Sequence, residues 1–152
     1  MLAQYYSILT LEDERKMGAV RAEIIVKNND DLVRAKHGHV KKQAVRSIAV
    51  KALVDTGAGT LVINDEQFRQ LGLGVREEKE VTLANNAKEK IKIADPVEIH
   101  WKNRTTVCLP WVVSDTPSVL LGAIPLEDMD LIVDPKNQEL VGRHGDKMEG
   151  YL

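Results

Sequence analysis

The residues best placed to do chemistry lie together in Ala52-Leu53-Val54-Asp55-Thr56-Gly57-Ala58-Gly59-Thr60-Leu61-Val62-Ile63. An apolar strand runs directly into Asp-Thr-Gly and out into a second apolar strand. A carboxylate between two buried strands is costly unless it is hydrogen-bonded or functional. Gly57 and Gly59 let the backbone turn tightly and let another chain come close. The plainer alternative is a β-turn with Asp at its first position, where Asp and Gly are common.

Other reactive side chains are less well placed. Cys108 is the one cysteine, so no intrachain disulfide can form. Val107 and Leu109 flank it, as expected of a reduced core thiol that behaves as a small hydrophobe. His37 and His39 sit on either side of Gly38, beside Lys36, Lys41 and Lys42. Further ligands at metal-binding spacing are not evident, so a solvated loop is expected there and no metal. His100 alternates with Trp101 in a strand and reads as a surface or satisfied histidine. Trp101 and Trp111 read as core or interface anchors. Asp95 precedes Pro96 in a turn. Asp128, Asp130 and Asp134 read as caps or exposed charge, and His144 and Asp146 fall in a polar tail.

The elements that must position Asp55 are mostly strands. A chain of 152 residues is about one domain. Its net charge of −2, with signs intermixed, favours neither nucleic acid nor an acidic lipid surface as partner. Aromatics make up 4%, so the core must be aliphatic. No stretch reaches the roughly 18 apolar residues of a membrane span, and the N-terminus lacks a signal-peptide layout. A cytoplasmic setting is expected.

The pattern divides the chain into an N-terminal extension over 1–16, a β-rich domain over 17–142 and a C-terminal tail over 143–152. Val20, Ala22, Ile24 and Val26 alternate with polar residues as in a half-buried strand. The polar stretch Asn28 to Lys42 reads as a long turn or loop. Val45 to Val54 and Leu61 to Ile63 follow as strands. Asn64 and Gln67 make a capping box for a short helix that Gly72 stops. Hairpins are expected around Asn85-Asn86, around Lys102-Asn103-Arg104 and around Asp134 to Asn137. Pro110 suggests a bulge or edge position in the strand Thr105 to Val113. Val119 to Leu121 reads as a buried strand, and Pro125 as the opening of a one-turn helix. So many short strands argue for an all-β, closed or partly closed barrel with one or two short helices.

From about Val20 to Val141 the chain resembles the retropepsin-like aspartic proteases. Leu53 to Ala58 is similar to their catalytic turn, and Val81 to Ile93 stands where the family carries its substrate-covering flap. Val119-Leu120-Leu121-Gly122-Ala123 is similar to the segment that supports the catalytic loop. The resemblance implies a retropepsin-like acid protease barrel, with Asp55 as the catalytic carboxylate and Thr56, Gly57 and Ala58 holding the loop. Leu120, Leu121 and Gly122 would support that loop. Ala84, Asn85, Asn86 and Ala87 would form the flap tip over the substrate. No cofactor is expected.

Hydrolysis by this route needs two carboxylates sharing one proton, the standard case of a pair too close for both to ionise. The chain has one such motif, so the resemblance implies a homodimer with Asp55 from each subunit acting on a peptide or protein substrate. Thr56 would bond backbone across the dimer axis. Gly57 would turn its N–H toward the carboxylates. Pepsin-like relatives carry a hydroxyl where Ala58 stands, so a less acidic activity optimum is implied. Two features depart from the family pattern: the tip is not glycine-rich, and the chain continues past the short helix into another hairpin. A non-catalytic peptide-binding or dimerisation module of the same fold is the competing reading.

Overall fold

The computed structural model describes residues 19–82 and 85–146. The expected extension over 1–16, Ala84 and the last part of the expected tail therefore lie outside the described residues. Strand β1 (Val20–Asn28) buries Val20, Ala22, Ile24 and Val26 on one face, as the period-two pattern requires. It pairs antiparallel with β2 (Ser47–Val54) on one side and with β6 (Val97–Trp101) on the other. Then come β3 (Val62–Ile63), the hairpin β4 (Val75–Thr82) and β5 (Lys88–Ala94), β7 (Arg104–Cys108), β8 (Trp111–Val112) and β9 (Leu120–Leu121). All nine join one sheet in the order β4-β5-β8-β3-β9-β2-β1-β6-β7. A separate hairpin, β10 (Leu131–Asp134) with β11 (Glu139–Gly142), packs against β1. The sheet curls around an aliphatic core that includes Ile24, Val26, Leu61, Ile63, Leu71, Ile99 and Leu121, and it stays open between β4 and β7. The architecture is that of a half-barrel, mostly strand with few short helices.

Three local departures from the sequence reading have physical causes. The expected loop from Asn28 is a helix, α1 (Asn29–Lys36). Its apolar content is too low to announce it, because buried polar groups hold it in place. The Asn28 side chain accepts the Asp31 N–H at 3.0 Å and donates to the Leu71 carbonyl at 2.8 Å. The buried Asp31 carboxylate takes the backbone N–H of Arg46 at 3.0 Å and two guanidinium N–H groups at 2.8 and 2.9 Å.

The expected single strand Thr105 to Val113 is two strands. Pro110, fully buried, has no N–H to continue the ladder, and its carbonyl takes the Ala94 N–H at 2.9 Å. The chain therefore leaves β7 after Cys108 and re-enters the sheet as β8, between β5 and β3. Helix α3 (Ala123–Asp128) begins at Ala123, two positions before the expected Pro125, with Gly122 as its N-cap. Helix α2 (Asp65–Gln70) is as expected: Asn64 and Gln67 form a reciprocal capping box, and Gly72 follows at φ +62°.

Candidate active site

Asp55 lies just past the end of β2, and the chain must turn there because another strand occupies the neighbouring place. Strand β9 lies between β2 and β3, parallel to β2 (Leu53↔Leu120, Val54↔Leu121) and antiparallel to β3 (Val62↔Leu120). The connection from β2 to β3 thus spans two strand spacings, roughly 10 Å, and arches over the end of β9. Hydrogen bonds tie the base of the arch to β9: Leu53 N–H to Val119 O at 2.8 Å and Asp55 N–H to Leu121 O at 3.0 Å. Its crown is tied to α3 by Ala123 N–H to Ala58 O at 2.8 Å and Ile124 N–H to Gly59 O at 3.0 Å. Asp55 is half-buried at the head of this arch. Leu120 and Leu121 are fully buried beneath it.

Within the loop, the Gly57 N–H donates to Asp55 Oδ1 at 2.9 Å, and Ala58 N–H donates to Asp55 O at 3.1 Å. A Cβ on Gly57 would stand 3.1 Å from that same carboxylate oxygen, so glycine keeps the approach to the carboxylate clear. Thr56 and Gly57 are exposed, whereas Ala58 is 1% exposed and packs with Leu53, Val62, Ile91, Val113 and Leu120 in a second, smaller core. Gly122 is placed so that a Cβ would overlap the carbonyls of Ala58 and Thr60 and lie 2.7 Å from Thr60 N. Only glycine permits that contact.

Thr60 is a supporting residue that the motif does not announce. It is buried, and its hydroxyl donates to Leu109 O at 3.3 Å, joining the loop to the crossover between β7 and β8. The available signal was a polar residue at the mouth of an apolar strand, which is weak. Cys108 is half-buried against the main core. Burial raises its thiol pKa, opposed by hydrogen bonding to Thr60 and to the Leu61 backbone.

The β4–β5 hairpin shares the smaller core with the loop. Only Lys92 and Ile93 of β5 pair with β8, so the outer part of the hairpin extends beyond the sheet. Val81 and Ile91 pack in the same small core as Ala58, which fixes the hairpin face turned toward the Asp55 loop. At the tip the Asn85 side chain accepts the Ala87 N–H at 3.0 Å, and Asn86 has φ +64°. Asn takes this left-handed conformation more readily than most residues, doing the work that glycine would do. Trp111 is half-buried on this small core, with the Lys79 ammonium 5.9 Å from its ring centroid. Trp101 is buried in the main core.

The remaining titratable groups are held elsewhere. His100 bonds Glu98 at 2.6 Å, and His144 bonds Asp130 at 2.8 Å. His37 and His39 are exposed with ring centroids 6.5 Å apart. Asp95 accepts the Gly74 N–H, and Asp128 accepts the Thr106 hydroxyl. Among the described residues no group of three or more His, Cys, Asp or Glu could hold a metal ion, and no helix is long and apolar enough to cross a membrane. A groove of about 820 Å³ lies against β1, β2, β6 and β11, with none of its lining residues drawn from the Asp55 loop or the hairpin.

Residues 42–128, more than half of the chain and all of the loop, hairpin and supporting strand, match the family described as "gag-polyprotein putative aspartyl protease". The chain belongs to that family. Among solved structures it is similar to the retroviral protease-like domain of Ddi1 from Leishmania major, at 16% identity and a TM-score of 0.49. That match covers 80% of this chain and 87% of the other. No curated protein matches the chain.

Proposed function

We propose that the protein is an aspartic endopeptidase whose active site forms when two copies bring their Asp55 carboxylates together. The observation that carries this reading is the Asp55 loop itself. A half-buried carboxylate heads an arch fixed by β9, α3 and the Gly122 contact, in a chain of an aspartyl protease family. Such fixing keeps a reacting group oriented with little reorganisation. One carboxylate of the pair, ionised, takes a proton from water as it attacks the peptide carbonyl; the other, protonated, donates to the carbonyl oxygen. The same groups then return a proton to the leaving amine. Thr56, exposed beside Asp55, is available for backbone contacts across a two-fold axis. The peptide lies extended between hairpin and loop, held as an added strand.

The test compares wild type with Asp55→Asn on a mixed peptide library, alongside sedimentation across concentration. The proposal expects cleavage by the wild type, none by the variant, and activity that rises with the dimer fraction. A wild type that binds peptides in a two-fold assembly yet cleaves none identifies instead a binding module of the same fold.

A further inference from the structure

The register of the hairpin assigns faces to its charges. In the β4–β5 ladder Val81 stands opposite Glu89, Lys79 opposite Ile91 and Glu77 opposite Ile93. Directly opposed residues of an antiparallel pair share a face. Ile91 and Val81 pack with Ala58, so this face is the inner one, turned to the Asp55 loop. Glu89 belongs to it, one pleat nearer the tip than Ile91.

The outer face balances its charges within itself. Glu78 stands opposite Lys92 and Glu80 opposite Lys90, and Glu80 pairs with Lys88 at 3.2 Å. The inner face does not. Lys79 is drawn to the base of the hairpin, over the Trp111 ring. Glu89 is half-buried and, among the described residues, no hydrogen bond or ion pair holds its carboxylate. A carboxylate left without a partner on its own face is open to a charge-assisted hydrogen bond from a cation brought from outside.

Resting on the reading of this cleft as a peptide site, we propose that Glu89 is a specificity-determining residue that receives a lysine or arginine side chain of the bound peptide. Alternate side chains of an extended peptide point to one face, so the cation is the one directed at the hairpin. The apolar Val81 and Ile91 beside Glu89 suit the methylene stem of such a side chain.

The experiment measures binding, on protein carrying Asp55→Asn so that turnover plays no part. Peptides identical except for arginine, norleucine or glutamate at one position, scanned along the sequence, serve as probes. At one position the arginine peptide should bind about tenfold more tightly than the norleucine peptide, as expected of a hydrogen bond between charged groups. Adding Glu89→Gln should abolish that preference, and adding Glu89→Lys should turn it toward glutamate, with unchanged thermal melts confirming the fold. Equal binding of arginine and norleucine peptides at every position, a preference that survives Glu89→Gln, or no binding of any peptide overturns the proposal. A Glu89-dependent preference in a protein whose wild type cleaves nothing sinks the peptidase reading alone. Cleavage without any charge preference sinks this proposal alone.

Discussion

Gly122 lies directly beneath Thr60, so close that a methyl group on its Cα would overlap the Thr60 carbonyl and stand 2.7 Å from the Thr60 nitrogen. Both neighbours are backbone, and neither can swing away. Gly122→Ala should therefore destabilise the fold by about 1–3 kcal/mol, as overpacking does. If the protein cleaves peptides as proposed, the same variant should displace the Asp55 loop enough to abolish that cleavage. Gly59→Ala is the control in the same loop, because a Cβ there meets nothing within 4 Å; it should change stability by less than about 0.5 kcal/mol. Urea titrations and peptide cleavage by both variants check the pair.

Acid should act through Asp31. Its carboxyl is held below the ordinary value of 3.8, first by the side-chain hydrogen bonds from Arg46, with burial opposing. A lowered carboxyl contributes stability that is present in full above that ordinary value and is lost as pH falls through the lowered one. Asp31→Asn should cost about 1–3 kcal/mol at neutral pH, a moderate range because the Arg46 side chain is 49% exposed. Its stability should also fall less steeply than wild type below pH 3.8. Urea midpoints at pH 7 and pH 3 distinguish the two. A variant as acid-sensitive as wild type would remove Asp31 from the account.

Arg104 should be among the most sensitive positions outside the loop. It is 2% exposed and donates to the carbonyls of Met129, Asp130 and Gly145 at 2.9, 2.7 and 2.6 Å. Arg104→Met leaves those carbonyls without their donors and should cost about 3 kcal/mol or more. Arg104→Lys restores the charge without the planar fork and should fall between. Hydrogen exchange should quicken at Arg143 and Gly145, whose amides close the turn onto Asp130 and Gly142.

Cys108 should be slow to react. The thiolate is the nucleophile, and burial pushes the thiol up, away from ionisation at neutral pH. Alkylation at pH 7.5 should run slower than that of an exposed cysteine peptide, because burial both disfavours the thiolate and shields the sulfur. In urea the two rates should converge. Equal rates in buffer would show that the thiol is open to solvent.

Where local chemistry sets the structure, the sequence was legible. The Asn64–Gln67 capping box, the alternation of β1 and the Asn85-Asn86 turn each follow from a few neighbouring residues, and each is present. Helix α1 was not legible because what stabilises it lies far off in the chain: Asp31 needs Arg46, and Asn28 needs the Leu71 carbonyl. The division at Pro110 was half legible. The ring announced an interruption, but only the tertiary structure shows β8 re-entering beside β3. At the Asp55 loop, residue types pointed to the carboxylate and its glycines. The supporting role of Thr60 depends on the Leu109 carbonyl and could not be read from either residue's neighbours. The hairpin was visible as a hairpin; that Glu89 lies on its inner face follows from register and packing together.

The insertion of β9 between β2 and β3 also sets an order of events. Until Val119, Leu120 and Leu121 arrive, the backbone that carries Asp55 lacks its partners, and α3 is not there to hold the crown. Such pairing across a long loop is slow to form. During synthesis, the segment that bears the carboxylate waits for the far end of the domain to emerge from the ribosome. A fragment ending before Val119 should keep the residues of the β1–β2 ladder and yet present no ordered Asp55 loop, because the hydrogen bonds from Leu53 and Asp55 to Val119 and Leu121 would have no acceptors.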